Sequence, residues 1–224
     1  MAVLRGGTSA ALVKHGDSTD YSAWLLPAVD EALAQAGTTM GQVDLLAVST
    51  GPGSFTGLRI GLTTVKAWAE VYGKPIVGVS RLEAMARSRE TPAGFVAACY
   101  DAHRGQLFGG LYRDLFGRRT RVGDELVISP KEFIEFVNSQ ADGAVVTWIS
   151  LDPELIQCQE TLRRRMERGD AIFACAPELA PCIGSLSEER AARGEFTDPL
   201  ALDANYVRRS DAEIFWKGPS TDER

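Results

Sequence analysis

Histidine is scarce in this chain of 224 residues: there are two, His15 and His103, far apart. Four cysteines stand at 99, 158, 175 and 182, and no two form a CxxC pair. Together these absences exclude the usual zinc ligand sets. The thiols read as reduced, which fits the cytoplasm rather than a disulfide scaffold. Cys99 lies in an apolar run and reads as core. No apolar run reaches transmembrane length, and the opening residues do not read as a signal peptide. Positive charge is also short. Lys and Arg total 24 against 30 Asp and Glu, a net charge of −6. Such a chain does not grip a polyanion by itself, so direct nucleic-acid binding is not expected. The run Arg163–Arg165 reads as a solvated helix face.

What is present is alternation. The chain is 45% hydrophobic, enough for a substantial core. Met1–Leu4 and Ser9–Lys14 read as a hairpin about the turn Arg5–Thr8. Helical spacing of Trp24, Leu25, Ala28, Val29, Ala32 and Leu33 predicts a helix that Gly37 stops, with Pro27 either at its start or kinking it. A strand over Val43–Val48, a helix over Leu58–Tyr72, a strand over Ile76–Val79 and a short helix over Arg81–Ser88 follow. Thr91–Gly94 breaks the pattern and marks a boundary between lobes 1–92 and 93–224. Phe95–Tyr100 and Gln106–Tyr112 read as a second hairpin around Asp101–Gly105. Beyond it, Glu125–Ile128 and Ala144–Ile149 read as strands. Pro130–Gln140, Pro153–Arg168 and Pro177–Arg193 read as helices, and the tail is polar. The expectation is an α/β protein of two lobes with related design.

The stretch from Ser49 to Ser54, STGPGS, sits between a strand and a helix and looks like a phosphate loop. The details differ. Gly57 is followed by Leu58, so the Gly-Lys-Ser/Thr ending of a P-loop is missing. From Gly51 the third glycine of GxGxxG would fall at Thr56. A nucleophile elbow needs glycines two before and two after the serine, where Ser54 has Pro52 and Thr56. The simpler reading is a structural turn. Gly51, Pro52 and Gly53 shape it, Gly53 supplies a positive φ, and Ser54 or Thr56 caps the helix. Asp101 and Gly105 likewise serve the geometry of the second hairpin, although Asp101, His103 and Arg104 together carry polar chemistry.

The helix after the loop has two stripes. Leu58, Leu62, Val65, Ala69 and Tyr72 form one; Gly57, Gly61, Thr64 and Trp68 form another. Two stripes fit either burial inside the domain or one face on the sheet and one on a partner. Trp24, Leu25 and Val29 on the preceding helix extend the candidate docking surface.

The run STGPGSFTGLRIGLTTVKAWAEVYGKPIVGVSRLEAMA closely resembles the signature of the TsaB/YeaZ family, within the actin/sugar-kinase/Hsp70-like fold group. DAHRGQLF and YVRRSDAE resemble that family's hairpin and C-terminal motifs. The resemblance is strong over 43–86 and 206–213 and weak over 114–200. It implies a two-lobed actin-like fold and a non-catalytic partner of TsaD, the transferase that makes threonylcarbamoyladenosine in tRNA, working with the ATPase TsaE. It also implies no intrinsic cofactor, nucleotide only at the partner interface, no metal, no membrane, and a homodimer when TsaD is absent. This chain lacks the metal-binding His-x-x-x-His of TsaD. It departs from the family in two places. Asp20-Tyr21-Ser22-Ala23 stands where a His-Ser-Glu is usual, and Met1 falls where the second strand of the first hairpin starts. The expectation is that the usual first strand is lacking and sheet edges are exposed. Competing readings are a small-molecule kinase of the same fold, with Asp101 as its one candidate carboxylate, a peptidase of the related M22 type, and a homodimer without a partner.

Overall fold

The computed structural model describes residues 1–16, 20–92, 94–115 and 118–207. Ala93 of the expected boundary and the C-terminal motif from Arg208 onward lie outside the described residues. The first hairpin forms from β1 (Ala2–Arg5) and β2 (Thr8–Leu12), with Gly6 and Gly7 at positive φ in its turn. Next comes α1 (Tyr21–Gln35), capped by the Asp20 carboxylate on the Ser22 N–H; Pro27 lies inside this helix rather than at its start. The next strand, β3 (Leu46–Gly51), begins three residues later than the sequence suggests, after a 3-10 turn at Met40–Gln42. The helix α2 (Phe55–Tyr72) ends at Gly73, whose φ of 62° is the left-handed cap that glycine accepts without penalty. β4 (Ile76–Ser80) pairs parallel to β3, and α3 (Arg81–Arg87) follows under a Ser80 cap.

The second half is built on one five-stranded sheet, in the order β7-β6-β5-β8-β9. The long antiparallel run comprises β5 (Gly94–His103), β6 (Gln106–Leu115) and β7 (Arg118–Ile128). β8 (Val146–Ser150) and β9 (Ala171–Ala174) add parallel to β5. Helices α4 (Pro130–Ala141), α5 (Glu154–Gln157) and α6 (Glu160–Met166) pack beside it. Trp148, Phe133, Ile134, Leu107 and Leu111 are fully buried between sheet and helices. Burial of each such side chain stabilises the fold by about 1.5–3 kcal/mol. Trp148 donates its indole N–H to Asp170, which also pairs with Arg165, so the buried charge is matched.

Three expectations are corrected. The single helix over Pro153–Arg168 is two, because Gln159 is extended between α5 and α6. The strand β7 starts at Arg118, not Glu125. The third is an addition: β9 (Ala171–Ala174) has no counterpart among the expected strands.

The chain then returns. α7 (Ala180–Ala192) packs on β1, β3, β4 and α3 of the first half. Thr197 bridges to Ile76, and the Asn205 N–H donates to the Thr50 carbonyl. The first half is thus not one sheet but two ribbons, β1-β2 and β3-β4, held by helices and by the C-terminal segment.

Candidate functional site

Two concave regions bear on function. The first is a cleft of about 850 Å³ between the halves, lined by the glycine loop, the β5–β6 hairpin tip and residues 205–207. In the loop, Gly51 rather than Gly53 takes the positive φ, at 99°, and the Gly51–Pro52 peptide is cis. A Cβ at Gly51 would lie 2.8 Å from the Leu58 side chain, so the turn packs tightly on its own helix. The correction has a simple cause: the chain must reverse at the end of β3, one residue before the proline, not after it. Ser54, not Thr56, caps α2 by accepting from the Gly57 N–H at 3.4 Å. Behind the loop, the Tyr100 hydroxyl donates to the Pro52 carbonyl at 2.5 Å. Arg81 lies over the Tyr100 ring at 4.4 Å.

Asp101 is the last ordinary residue of β5 before the tip. Its carboxylate accepts from the His103 N–H at 2.7 Å and contacts His103 Nδ1 at 3.1 Å. His103, Arg104 and Gly105 all have positive φ, and the Asp101 side chain holds that turn. The Asp101 N–H in turn donates to the Asp152 carboxylate at 2.8 Å.

The cleft lining carries both signs of charge, with Arg81 and Arg104 beside the carboxylates. No lysine follows Gly57, the loop is spanned by the Ser54 cap, and Asp101 and Asp152 place carboxylates on the facing wall. Among the described residues, no group of three or more His, Cys, Asp or Glu is arranged to hold a metal ion. Cys99 is buried, and desolvation pushes its thiol up to about 12, so it is held as an unreactive thiol.

Sequence reasoning missed Glu125. It is buried in β7 and accepts from the Ser80 hydroxyl, from the Tyr112 hydroxyl at 2.9 Å and from Asn205 Nδ2 at 2.5 Å. It thereby joins α3, the second sheet and the C-terminal segment. Burial raises its carboxyl above the usual range, and the Ser80 and Tyr112 hydrogen bonds oppose that rise. No sequence signal marks it, because its three donors come from three distant segments.

The second concave region is a cavity of about 600 Å³ between β1 and β3. Of the candidate docking residues, Leu25, Val29, Gly61, Thr64, Val65 and Trp68 line it. Trp24 packs on the first hairpin, and Leu62 is buried against Leu46 and Ile76. Leu58 lines the interlobe cleft with Pro52, Gly53 and Ser54. α1 and α2 do lie against one another. Their most exposed large apolar residues are others, Tyr21 at 55% exposure, Leu26 at 57% and Val71 at 74%, with Phe55 and Tyr72 less exposed.

Similarity to known proteins agrees with this architecture. The family model described as TsaD, tRNA N6-adenosine threonylcarbamoyltransferase, matches residues 17–150. The tRNA threonylcarbamoyladenosine biosynthesis protein TsaB of Escherichia coli (strain K12) is 34% identical over 198 residues, covering 84% of this chain and 83% of that protein. Its counterpart in Bacillus subtilis (strain 168) is 30% identical over 140 residues, 62% of this chain; the match spans 61% of that relative's length. The solved structure of YeaZ from Pseudomonas aeruginosa superposes with a TM-score of 0.72 at 28% identity, covering 92% of each chain. The fold is a two-lobed α/β fold of the actin-like type, and with such coverage and identity the chain belongs to the TsaB/YeaZ family.

Proposed function

We propose that this protein serves the formation of threonylcarbamoyladenosine in tRNA as a non-catalytic subunit that docks on a TsaD-type transferase, with a TsaE-type ATPase as the further component. The observation that carries this reading is the match to the E. coli protein named for that biosynthesis over 84% of the chain. The interlobe cleft supports the non-catalytic part. Of its two carboxylates, Asp101 is engaged in building the hairpin turn and Asp152 accepts from the Asp101 N–H, and its loop has no lysine for a phosphate. A nucleotide, on this reading, belongs to the partner interface and not to this chain alone. On this reading the lobes are 1–92 and 93–224, and α7 of the second segment packs on the first lobe.

The docking surface runs along α1 and α2. Tyr21, Leu26 and Val71 are large apolar residues left exposed on these adjacent helices, a pattern that marks interaction surfaces more than isolated surface apolars do. Gly57 keeps the start of α2 slim where a partner helix crosses, whereas Gly61 and Thr64 line the inner cavity. Without the transferase, the same surface pairs with itself about a two-fold axis.

The test is size-exclusion chromatography of the purified chain alone and with the TsaD-type protein of the same organism. Co-elution as a heterodimer, with loss of any homodimer, is expected. Separate elution at micromolar concentrations sinks the reading.

A further inference from the structure

The carboxyl ends of four parallel strands open into the interlobe cleft. β3 and β4 run parallel in the first half, and β8 and β9 run parallel in the second. The residues that follow them line one concave surface: Pro52 and Gly53 after β3, Arg81 after β4, Leu151 and Asp152 after β8, and Cys175 after β9. In open α/β sheets this is the end at which ligands bind, because the strands stop there and their connections spread apart.

Two of these residues carry opposite charges with no ion-pair partner among the described residues. Arg81 is half-buried. Its guanidinium lies over the Tyr100 ring at 4.4 Å, and its Nη1 is 3.8 Å from where a Cβ at Gly53 would stand. Its neighbours on α3 differ: Glu83 pairs with Arg190 and Arg87 with Glu189. Asp152 is half-buried as well, and its Oδ2 accepts only from the Asp101 N–H, at 2.8 Å. Other shielded acids of the second half are matched, Asp114 by Arg119 and Asp170 by Arg165. A shielded charge without a partner retains its desolvation cost, which a counter-charge brought by a ligand offsets. The remaining lining is largely apolar, with Leu58, Phe108 and Leu151 beside Phe55 and Tyr206. The last two rings have centroids 5.2 Å apart, and Arg59 holds both: its guanidinium lies 3.8 Å from the Phe55 centroid, and its Nε donates to the Tyr206 hydroxyl at 3.2 Å. An apolar hollow with a few fixed polar groups is the pattern of a small-molecule site.

We infer that this cleft binds a free α-amino acid with an apolar side chain, its carboxylate on Arg81, its ammonium on Asp152 and its side chain on the aromatic and aliphatic lining. One molecule with both charges satisfies both groups. An anion alone leaves Asp152 unmatched and is repelled by it, and a cation alone meets the same difficulty at Arg81. A guanidinium takes a carboxylate through two parallel N–H donors, which fixes orientation as well as charge. Arg81 belongs to the first half and Asp152 to the second, so an occupant touches both. The site uses neither Leu26 nor Val71 and stands apart from the docking reading.

The probes are L-leucine, L-leucinamide, which lacks the anion, and N-acetyl-L-leucine, which lacks the cation. Binding to the full chain is measured by isothermal titration calorimetry. Saturable binding of leucine is expected, with each blocked compound at least about tenfold weaker for want of one charge-assisted contact. Arg81→Gln removes the partner of the anion, so leucine and leucinamide then bind alike. Asp152→Asn keeps an acceptor for the Asp101 N–H and makes leucine and N-acetyl-leucine bind alike. Circular dichroism checks each fold. Should either variant unfold, Gly53→Leu decides. Gly53 does not have a positive φ, and a Cβ there meets Arg81 at ordinary contact distance, so the new side chain enters the cleft beside Arg81 and weakens leucine binding at least about tenfold. Absence of saturable leucine binding, equal affinity for the three compounds, unchanged discrimination in a folded charge variant, or wild-type affinity in folded Gly53→Leu overturns the proposal.

Discussion

Asn205 reaches across the molecule to Glu125: its side-chain amide donates to Oε2 of that buried carboxylate at 2.5 Å, while its own backbone N–H donates to Thr50 beside the glycine loop. One residue of the C-terminal segment thus fastens β7 of the second half to β3 of the first.

This tie gives a pH signature. The Glu125 carboxyl is raised in the folded state, chiefly by burial. The native state therefore binds this proton more tightly than the unfolded chain does. The stability it contributes is fully present below the unfolded carboxyl pKa and is lost as pH rises through the folded value. Glu125→Gln keeps the acceptor for Ser80 and Tyr112 but sets an N–H against Asn205. The variant is expected to lose about 1–3 kcal/mol through the unsatisfied donor and to lose this share of the pH slope. Urea denaturation at several pH values between 4 and 8 measures both. An identical slope in wild type and variant refutes the assignment.

Leu26→Arg tests the docking surface. Leu26 is 57% exposed, so the substitution leaves the core untouched and the melting temperature nearly unchanged. Binding to the transferase is expected to weaken at least about tenfold, because a charge enters an apolar contact. Gly61→Arg differs: its side chain starts in the cavity between β1 and β3, so it reports on that inner face. Sedimentation velocity on both variants separates the two faces. Unchanged association of Leu26→Arg places the interface elsewhere.

No ATPase, kinase or peptidase turnover above background is expected from the isolated chain. The decisive control is Asp101→Ala. Turnover that this substitution abolishes contradicts the proposed non-catalytic role.

Binding of tRNA to the chain alone is expected to be weak and salt-sensitive, since the net charge of −6 repels phosphate. Fluorescence anisotropy at physiological salt measures it, and sub-micromolar affinity is incompatible with the expectation.

Replacing the cap, Ser54→Ala, removes the acceptor for the Gly57 N–H and is expected to lower stability by about 0.5–2 kcal/mol. A thermal melt that does not shift shows that water caps α2 equally well.

Local features were legible without a structure. The hairpins, α1, α2 and a cap at Ser54 or Thr56 follow from turn residues and helical spacing over short stretches, where each residue reports its own conformation; the structure selects Ser54. The glycine loop carried enough length to point to the family. Features set by long-range pairing were not. β7 hides behind arginines: Arg118 and Arg121 are exposed on an edge strand, where charge is favourable, and Arg119 is buried in an ion pair with Asp114, so together they blur the alternation. β9 is four residues long and exists through pairing with β8. Gln159 splits a helix whose composition reads as continuous.

The candidate surface shows the same division. Sequence alone established that α2 has two apolar stripes, because periodicity fixes which residues share a face. It did not establish what each face meets. In the fold, Leu62 and Val65 turn to β3, Gly61 and Thr64 turn to the inner cavity, and Leu26 and Val71 remain outside. Spacing along a helix determines angular position about its own axis; only the placement of β1, β3 and α7 around that axis determines which angle faces core, cavity or water.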